Sequence, residues 1–150
     1  MRFNVYDNVK LVGGVSLTPQ SVSGSTAVDG NSVDTEGYDN AAIHVYADAA
    51  SGSPTAATLA VTLQESADDS TWTTATDNTG TDIGFTLTVT SAAAENVARI
   101  EGLNLNRKRY LRAVVTPSFT GGTSPASIVV GEIVLGNAES RPVDSNVSNT

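Results

Sequence analysis

Alternation of apolar and polar residues at a spacing of two dominates this chain. In residues 58–64, Thr-Leu-Ala-Val-Thr-Leu-Gln, the side chains of Leu59, Val61 and Leu63 share one face, and Thr58, Thr62 and Gln64 share the other. This is the period of a strand buried on one side only. The six small or acidic residues at 65–70 then favour a turn, and Trp72 opens a return strand with a large apolar surface. A β-hairpin with a tryptophan anchor is predicted over residues 58–72, and the tryptophan is expected in the core.

The same period recurs along the chain. Residues 41–47 place Ile43, Val45 and Ala47 inward and Ala42, His44 and Tyr46 outward. In residues 85–90, Phe85, Leu87 and Val89 alternate with Thr86, Thr88 and Thr90. Residues 97–103 and 110–116 read as further strands, the second stopped by Pro117. The longest apolar run, residues 126–135, lacks strict alternation, which predicts burial on both faces or a bulge at Gly131. Residues 91–96 offer one helical turn capped by Ser91, too short to persist without packing.

Seven to nine such strands, turn signals about every ten residues and almost no helix predict an all-β chain. The expected fold is a two-sheet antiparallel β-sandwich, most simply a jelly roll. Residues 1–30, interrupted by Gly13, Gly14, Pro19 and a Ser/Gly/Thr cluster, read as an extended N-terminal arm and an edge strand. Residues 31–142 form the sandwich domain and residues 143–150 a polar tail. At 150 residues a single domain of this kind buries roughly 70% of its unfolded surface, so its core needs neither metal nor disulfide.

Composition narrows the function. Hydrophobic residues make up 39% of the chain and charged residues 16%, leaving outer faces rich in Ser and Thr rather than in charge. The net charge of −8 argues against nucleic acid and anionic membranes as partners. One local exception is basic: Arg99, Arg107, Lys108, Arg109 and Arg112 are five of the eight Lys and Arg residues. They read as solvated positions beside a strand or as a spot that docks on an acidic protein. Cysteine is absent, which excludes disulfides and thiolate chemistry and suits a reducing cytosol. No apolar run at the N-terminus has signal-peptide length, and none reaches membrane-spanning length.

Candidate chemistry is sparse. The single histidine, His44, lies in mid-strand with no glycine-flanked serine elbow, so a Ser/His/Asp triad is not expected. Glu65, Asp68 and Asp69 sit in a tight turn, where carboxylates are ordinarily solvated rather than paired for hydrolysis. The loop Asp77-Asn78-Thr79-Gly80-Thr81-Asp82 carries oxygen ligands of the kind calcium takes, but lacks an EF-hand's spacing and final acid; a plain surface turn is the simpler reading. Tyr38, Tyr46, Trp72 and Tyr110 are candidates for a sugar-stacking face. The chain is not expected to be an enzyme or to carry a cofactor or metal.

Taken together, residues 62–72 (Thr-Leu-Gln-Glu-Ser-Ala-Asp-Asp-Ser-Thr-Trp), Arg109-Tyr110-Leu111-Arg112, and the Gly121-Gly122 loop with the 126–136 run resemble small virion proteins of tailed bacteriophages. The pattern looks most like their jelly-roll capsid cement, or decoration, proteins, over roughly residues 37–142. The resemblance implies a protein made in the host cytoplasm that ends on the virion's capsid surface. Its partners would be the major capsid protein and itself, as a dimer or trimer, bridging shell subunits without an active site. The contact candidates are Arg2, Phe3 and Tyr6 of the arm, Arg107, Lys108, Arg109 and Arg112, and the C-terminal tail. Two other readings stay open: a receptor- or carbohydrate-binding sandwich, and a tail or neck structural protein.

Overall fold

A computed structural model describes residues 9–11, 17–90, 96–104 and 107–138. The described residues hold eleven strands and no helix. In chain order these are β1 (Val9–Leu11), β2 (Leu17–Ser23), β3 (Val28–Asp29), β4 (Val33–Asp34), β5 (Tyr38–Ala47), β6 (Ala56–Ser66), β7 (Thr73–Thr74), β8 (Gly84–Thr88), β9 (Asn96–Asn104), β10 (Tyr110–Thr120) and β11 (Ala126–Ala138). The expected helical turn falls on residues outside the described ones up to position 95, and Asn96 belongs to β9. Met1 to Asn8 and the tail at 143–150 also lie outside the described residues.

Two antiparallel sheets result. In the first, β11 lies between β5 and the collinear pair β1 and β2, and β9 completes the sheet beyond β5. In the second, β10 lies between β6 and the collinear pair β3 and β4, while β7 and β8 share the far edge of β6. Counting β1 with β2, β3 with β4 and β7 with β8 as single interrupted strands leaves eight, ordered 1-8-3-6 in one sheet and 2-7-4-5 in the other. A long antiparallel hairpin, paired 1 with 8, 2 with 7, 3 with 6 and 4 with 5, gives this order when it is rolled up on itself. That is a jelly roll.

The core lies between the sheets and takes the alternate residues that the sequence pattern assigns inward. Ile43 and Val45 of β5, Leu59, Val61 and Leu63 of β6, Leu111, Ala113 and Val115 of β10, and Val129, Ile133 and Leu135 of β11 are all buried. Leu17 and Val22 of β2 join them. Each such side chain contributes roughly 1.5–3 kcal/mol of burial.

Three expectations are corrected. β10 does not stop at Pro117 but runs on to Thr120, with Pro117 opposite Leu59. The reason is geometric. The Ala113 carbonyl accepts from the Gly30 amide on the β3 side, so residues 113, 115 and 117 all turn their backbone groups away from β6. β3 pairs only with Val114 and Val115, and at Pro117 no described strand asks for the missing N–H. Second, β11 is not buried on both faces: its burial alternates, with Ser127, Val129, Ile133 and Leu135 inward and Ile128 exposed. The run lacks visible alternation because its outward positions Ile128, Val130 and Val134 are apolar too. Nor does β11 bulge at Gly131, since its ladder with β5 is unbroken there and the register shift against β2 puts the extra residue on β2, between Leu17 and Gln20. A Cβ at Gly131 would sit 3.0 Å from Leu17 Cδ1 and 3.2 Å from Val45 Cγ2, so glycine suits the place where Leu17 and Val45 close on β11. Ser127, buried within the apolar run, satisfies its hydroxyl on the Asp48 carbonyl at 2.7 Å.

The third correction concerns Trp72. It is only half-buried and does not belong to the core cluster.

Candidate functional site

The cations of β10 and the loop before it lie against carboxylates and oxygens of their own chain. Arg107 Nη1 lies 3.5 Å from Glu65 Oε2, and its Nη2 donates to the Thr76 carbonyl at 3.2 Å. Lys108 Nζ donates to Thr73 Oγ1 at 2.6 Å and lies 3.9 Å from Glu65 Oε1. Arg109 forms a fork on Asp34, Nε to Oδ1 at 2.9 Å and Nη2 to Oδ2 at 2.7 Å, and also pairs with Glu36. The Asp34 hydrogen bond, followed by the charges of Asp34 and Glu36, raises Arg109 above an arginine's ordinary pKa. Arg112 Nε donates to Gln64 Oε1 at 2.8 Å, and Nη1 lies 3.1 Å from Asp29 Oδ2.

These pairs follow from register. Arg112 faces Gln64 across the β10–β6 ladder, and Tyr110 faces Asp34 across the β10–β4 ladder. Arg112, the cation of this central strand, therefore meets a polar neighbour on β6 and an acidic one on the β3 side. The guanidinium of Arg112 also lies 4.4 Å from the Trp72 ring centroid, and that of Arg109 lies 5.4 Å from the Tyr110 ring. Trp72 is thus a platform for Arg112 on the outer face of the second sheet.

The hairpin motif serves the same assembly. Asp68 Oδ1 accepts from Ser66 Oγ at 2.8 Å, the Ser70 amide at 3.0 Å and the Thr71 amide at 2.7 Å, while Oδ2 accepts from Thr71 Oγ1 at 3.1 Å. The amides of Thr71 and Ser70, then the Ser66 hydroxyl, hold the Asp68 carboxyl well below the usual carboxylate range. Gln64, Ser66, Asp68 and Trp72 thus build the turn and seat Arg112. The two motifs that carry the family resemblance interlock in space.

Asp77 is used in a similar way. Its Oδ1 accepts from Thr79 Oγ1 at 2.7 Å, the Thr79 amide at 2.8 Å and the Thr81 amide at 2.9 Å. These contacts, the Thr79 hydroxyl first, lower its pKa. The loop is closed on its own donors as an Asx turn.

The first sheet presents a different outer surface. Ile128 of β11 is 54% exposed and Tyr46 of β5 is 41% exposed. Val130 pairs with Tyr46, Glu132 with His44 and Val134 with Ala42 across the β11–β5 ladder, so these six residues and Ile128 share one face. Its polar side chains on this ladder include His44 and Glu132, with His44 Nδ1 3.3 Å from Glu132 Oε1. Sequence reading missed this face because residues 126–135 look like core; the outward assignment of His44 and Tyr46 was the signal that marked it.

The four tyrosine and tryptophan candidates do not form one face. Tyr38 packs against the core, Tyr46 is exposed on the first sheet, and Trp72 and Tyr110 lie beside arginines of the second. Arg2, Phe3 and Tyr6 lie outside the described residues.

No protein-family model and no curated protein matches this chain. Solved structures do resemble it. The PBSX exported protein XepA aligns with a TM-score of 0.52 and 16% identity over 100% of this chain and 44% of its own, so this chain spans less than half the length of that protein. The CBM22-1 xylan-binding domain of Paenibacillus barcinonensis Xyn10C aligns with a TM-score of 0.40 and 16% identity, covering 87% of this chain and 86% of its own. The Desmodium yellow mottle tymovirus structure gives 0.38 and 15%, with 86% and 87% covered. At 16% identity the likeness to XepA is a likeness of fold, an all-β sandwich.

Proposed function

We propose that this chain is a structural virion protein that binds the outer surface of a phage capsid and ties neighbouring shell subunits together. The observation that carries the reading is the outer face of the first sheet. There Ile128 and Tyr46 stand in solvent on a framework made rigid by the β11–β5 ladder. Exposed apolar side chains grouped on a rigid sheet are what a protein contact needs. The jelly roll supplies that rigidity, and the hairpin and Arg-Tyr-Leu-Arg motifs that resemble capsid cement proteins build its second sheet. In this reading the shell contact lies on the first sheet, and Arg107, Lys108, Arg109 and Arg112 support the fold. Repeated copies over a shell convert modest single contacts into a lasting clamp.

Quantitative mass spectrometry of purified virions tests the reading, with the ratio of this chain to the major capsid protein as the readout. Hundreds of copies per particle are expected. A dozen or fewer would move the chain to the tail or neck, and its absence from particles would overturn the virion role.

A further inference from the structure

Two crossings between the sheets run side by side at one end of the sandwich. Ser23, the last residue of β2, pairs with Ala126, the first of β11, so the chain leaving β2 for β3 lies beside the chain arriving from β10. A groove of about 750 Å³ opens there, lined by Ser23, Ser25, Ser118, Phe119, Ser124 and Pro125, among others. That volume falls in the range of roughly 300–1,000 Å³ typical of small-molecule sites.

The chemistry of the lining is narrow. None of its residues is charged, in a chain whose net charge is −8. The four serines are exposed, and among the described residues none of their hydroxyls has a hydrogen-bond partner. Hydroxyls close by are used differently. Ser51 Oγ donates to the Ala126 carbonyl at 3.1 Å, Thr55 Oγ1 to the Thr120 carbonyl at 2.9 Å and Ser127 Oγ to the Asp48 carbonyl at 2.7 Å. The groove thus keeps four groups that can each donate and accept, beside one aromatic ring. Phe119 is half-buried and packs against the core, which holds the ring in place as an apolar platform.

One wall is also preorganised. The Thr123 amide donates to the Gly52 carbonyl, the Ser51 amide to the Ala126 carbonyl and the Thr55 amide to the Thr120 carbonyl, each at 2.8 Å. Gly122 has a φ of +79°, and a Cβ there would stand 2.5 Å from the Gly52 carbonyl oxygen, so glycine is what lets the two loops clasp. Ser124 is held at a left-handed φ of +47°, a conformation that a residue with a side chain keeps only where its surroundings impose it. A wall fixed in this way loses little freedom when it binds.

We propose that this groove binds a neutral oligosaccharide. Anionic ligands need cations and metal ions need carboxylates, and neither lines the groove. A wholly apolar ligand would strip water from the serine hydroxyls without replacing its hydrogen bonds. A neutral sugar meets both parts of the lining. Its C–H face lies on the electron-rich face of Phe119, and its hydroxyls exchange hydrogen bonds with the serines. Neither Ile128 nor Tyr46 lines the groove, so this site is separate from the proposed shell contact and does not depend on it.

Amide-detected NMR of the full chain, titrated to about 10 mM with cellohexaose, xylohexaose or maltohexaose, reads the site. At least one of them should shift the Ser25, Ser118, Phe119 and Gly121 amides with a dissociation constant of about 1 mM or below. Hexagalacturonate, an acidic chain of the same length, should bind at least tenfold more weakly. Ser25→Ala and Ser118→Ala, both at exposed positions, should each weaken binding about fivefold with an unchanged urea midpoint. Phe119→Leu, which removes the flat ring and keeps an apolar side chain, should abolish it. No shift with any of the three neutral probes would overturn the proposal. So would shifts centred on Trp72 and Tyr110, equal binding of the acidic chain, or serine variants that bind like the parent.

Discussion

The outer faces of the two sheets use their side chains in opposite ways. On the second sheet, Arg109 and Arg112 reach across β10's ladders to Asp34, Glu36, Gln64 and Asp29, and Trp72 stacks on Arg112. On the first sheet, β11 and β5 present Ile128, Val130 and Tyr46 around the His44–Glu132 pair. Charge clustered in sequence became internal bracing, and an apolar run that looks like core became surface. Strand partners decide this: Arg112 of β10 has Gln64 opposite it on β6 and Asp29 within reach on the β3 side, whereas β11 and β5 place Val130 opposite Tyr46 and Val134 opposite Ala42.

The contrast can be broken first at Arg112. Its side chain is 18% exposed, so Arg112→Ala removes a shielded charge-assisted hydrogen bond to Gln64 and the Trp72 stack together. A loss of about 2 kcal/mol is expected, read as a lower urea midpoint and a red-shifted Trp72 emission. Glu65→Ala should cost less, about 1 kcal/mol. It deprives both Arg107 and Lys108 of their shared carboxylate, which is itself 17% exposed, and raised salt should shrink the difference from the parent chain.

Ile128→Ser combined with Tyr46→Ser sharpens the comparison from the other side. Both positions are exposed, so stability should change by less than about 0.5 kcal/mol per site. Under the proposed function, binding to shells stripped of this protein should nonetheless fall at least tenfold. Unchanged shell binding would move the contact off the first sheet.

The smallest effect concerns the hairpin turn. The Asp68 carboxyl is held below its unfolded pKa by the Thr71 and Ser70 amides and the Ser66 hydroxyl. A lowered folded pKa means that Asp68's contribution is complete above the unfolded value, near 3.9. It is lost as pH falls through the lower folded value. Carboxyl-detected NMR should place the Asp68 midpoint below that of ordinary aspartates, and Ser66→Ala should move it upward. Between pH 5 and pH 2, Asp68→Asn should lose less stability than the parent chain.

Much of the fold was legible in the sequence. Leu59, Val61 and Leu63, then Ile43, Val45 and Ala47, then Leu87 and Val89 all stand inward, as their two-residue period requires. Gly131 marks a close approach of Leu17 and Val45 rather than the bulge its place in an apolar run suggested, because the extra residue lies on β2 opposite it. Trp72 and Pro117 were misread for a shared reason. Their surroundings are set by neighbours remote in sequence: Arg112 forty residues on for the tryptophan, and the point where β3 ends for the proline.

The sequence by itself determined that this is an acidic all-β chain and which residues point inward on β5, β6 and β8, where apolar and polar residues alternate. All of these follow from local spacing, because a strand's side chains alternate whatever lies beside it. The tertiary structure alone decided which strands are neighbours, and through them that the basic cluster is braced from within. It also decided that Ile128 faces solvent and that β10 runs on past Pro117. Pairing partners are chosen by closure of the whole sandwich, a sum over contacts between distant segments that no local pattern records.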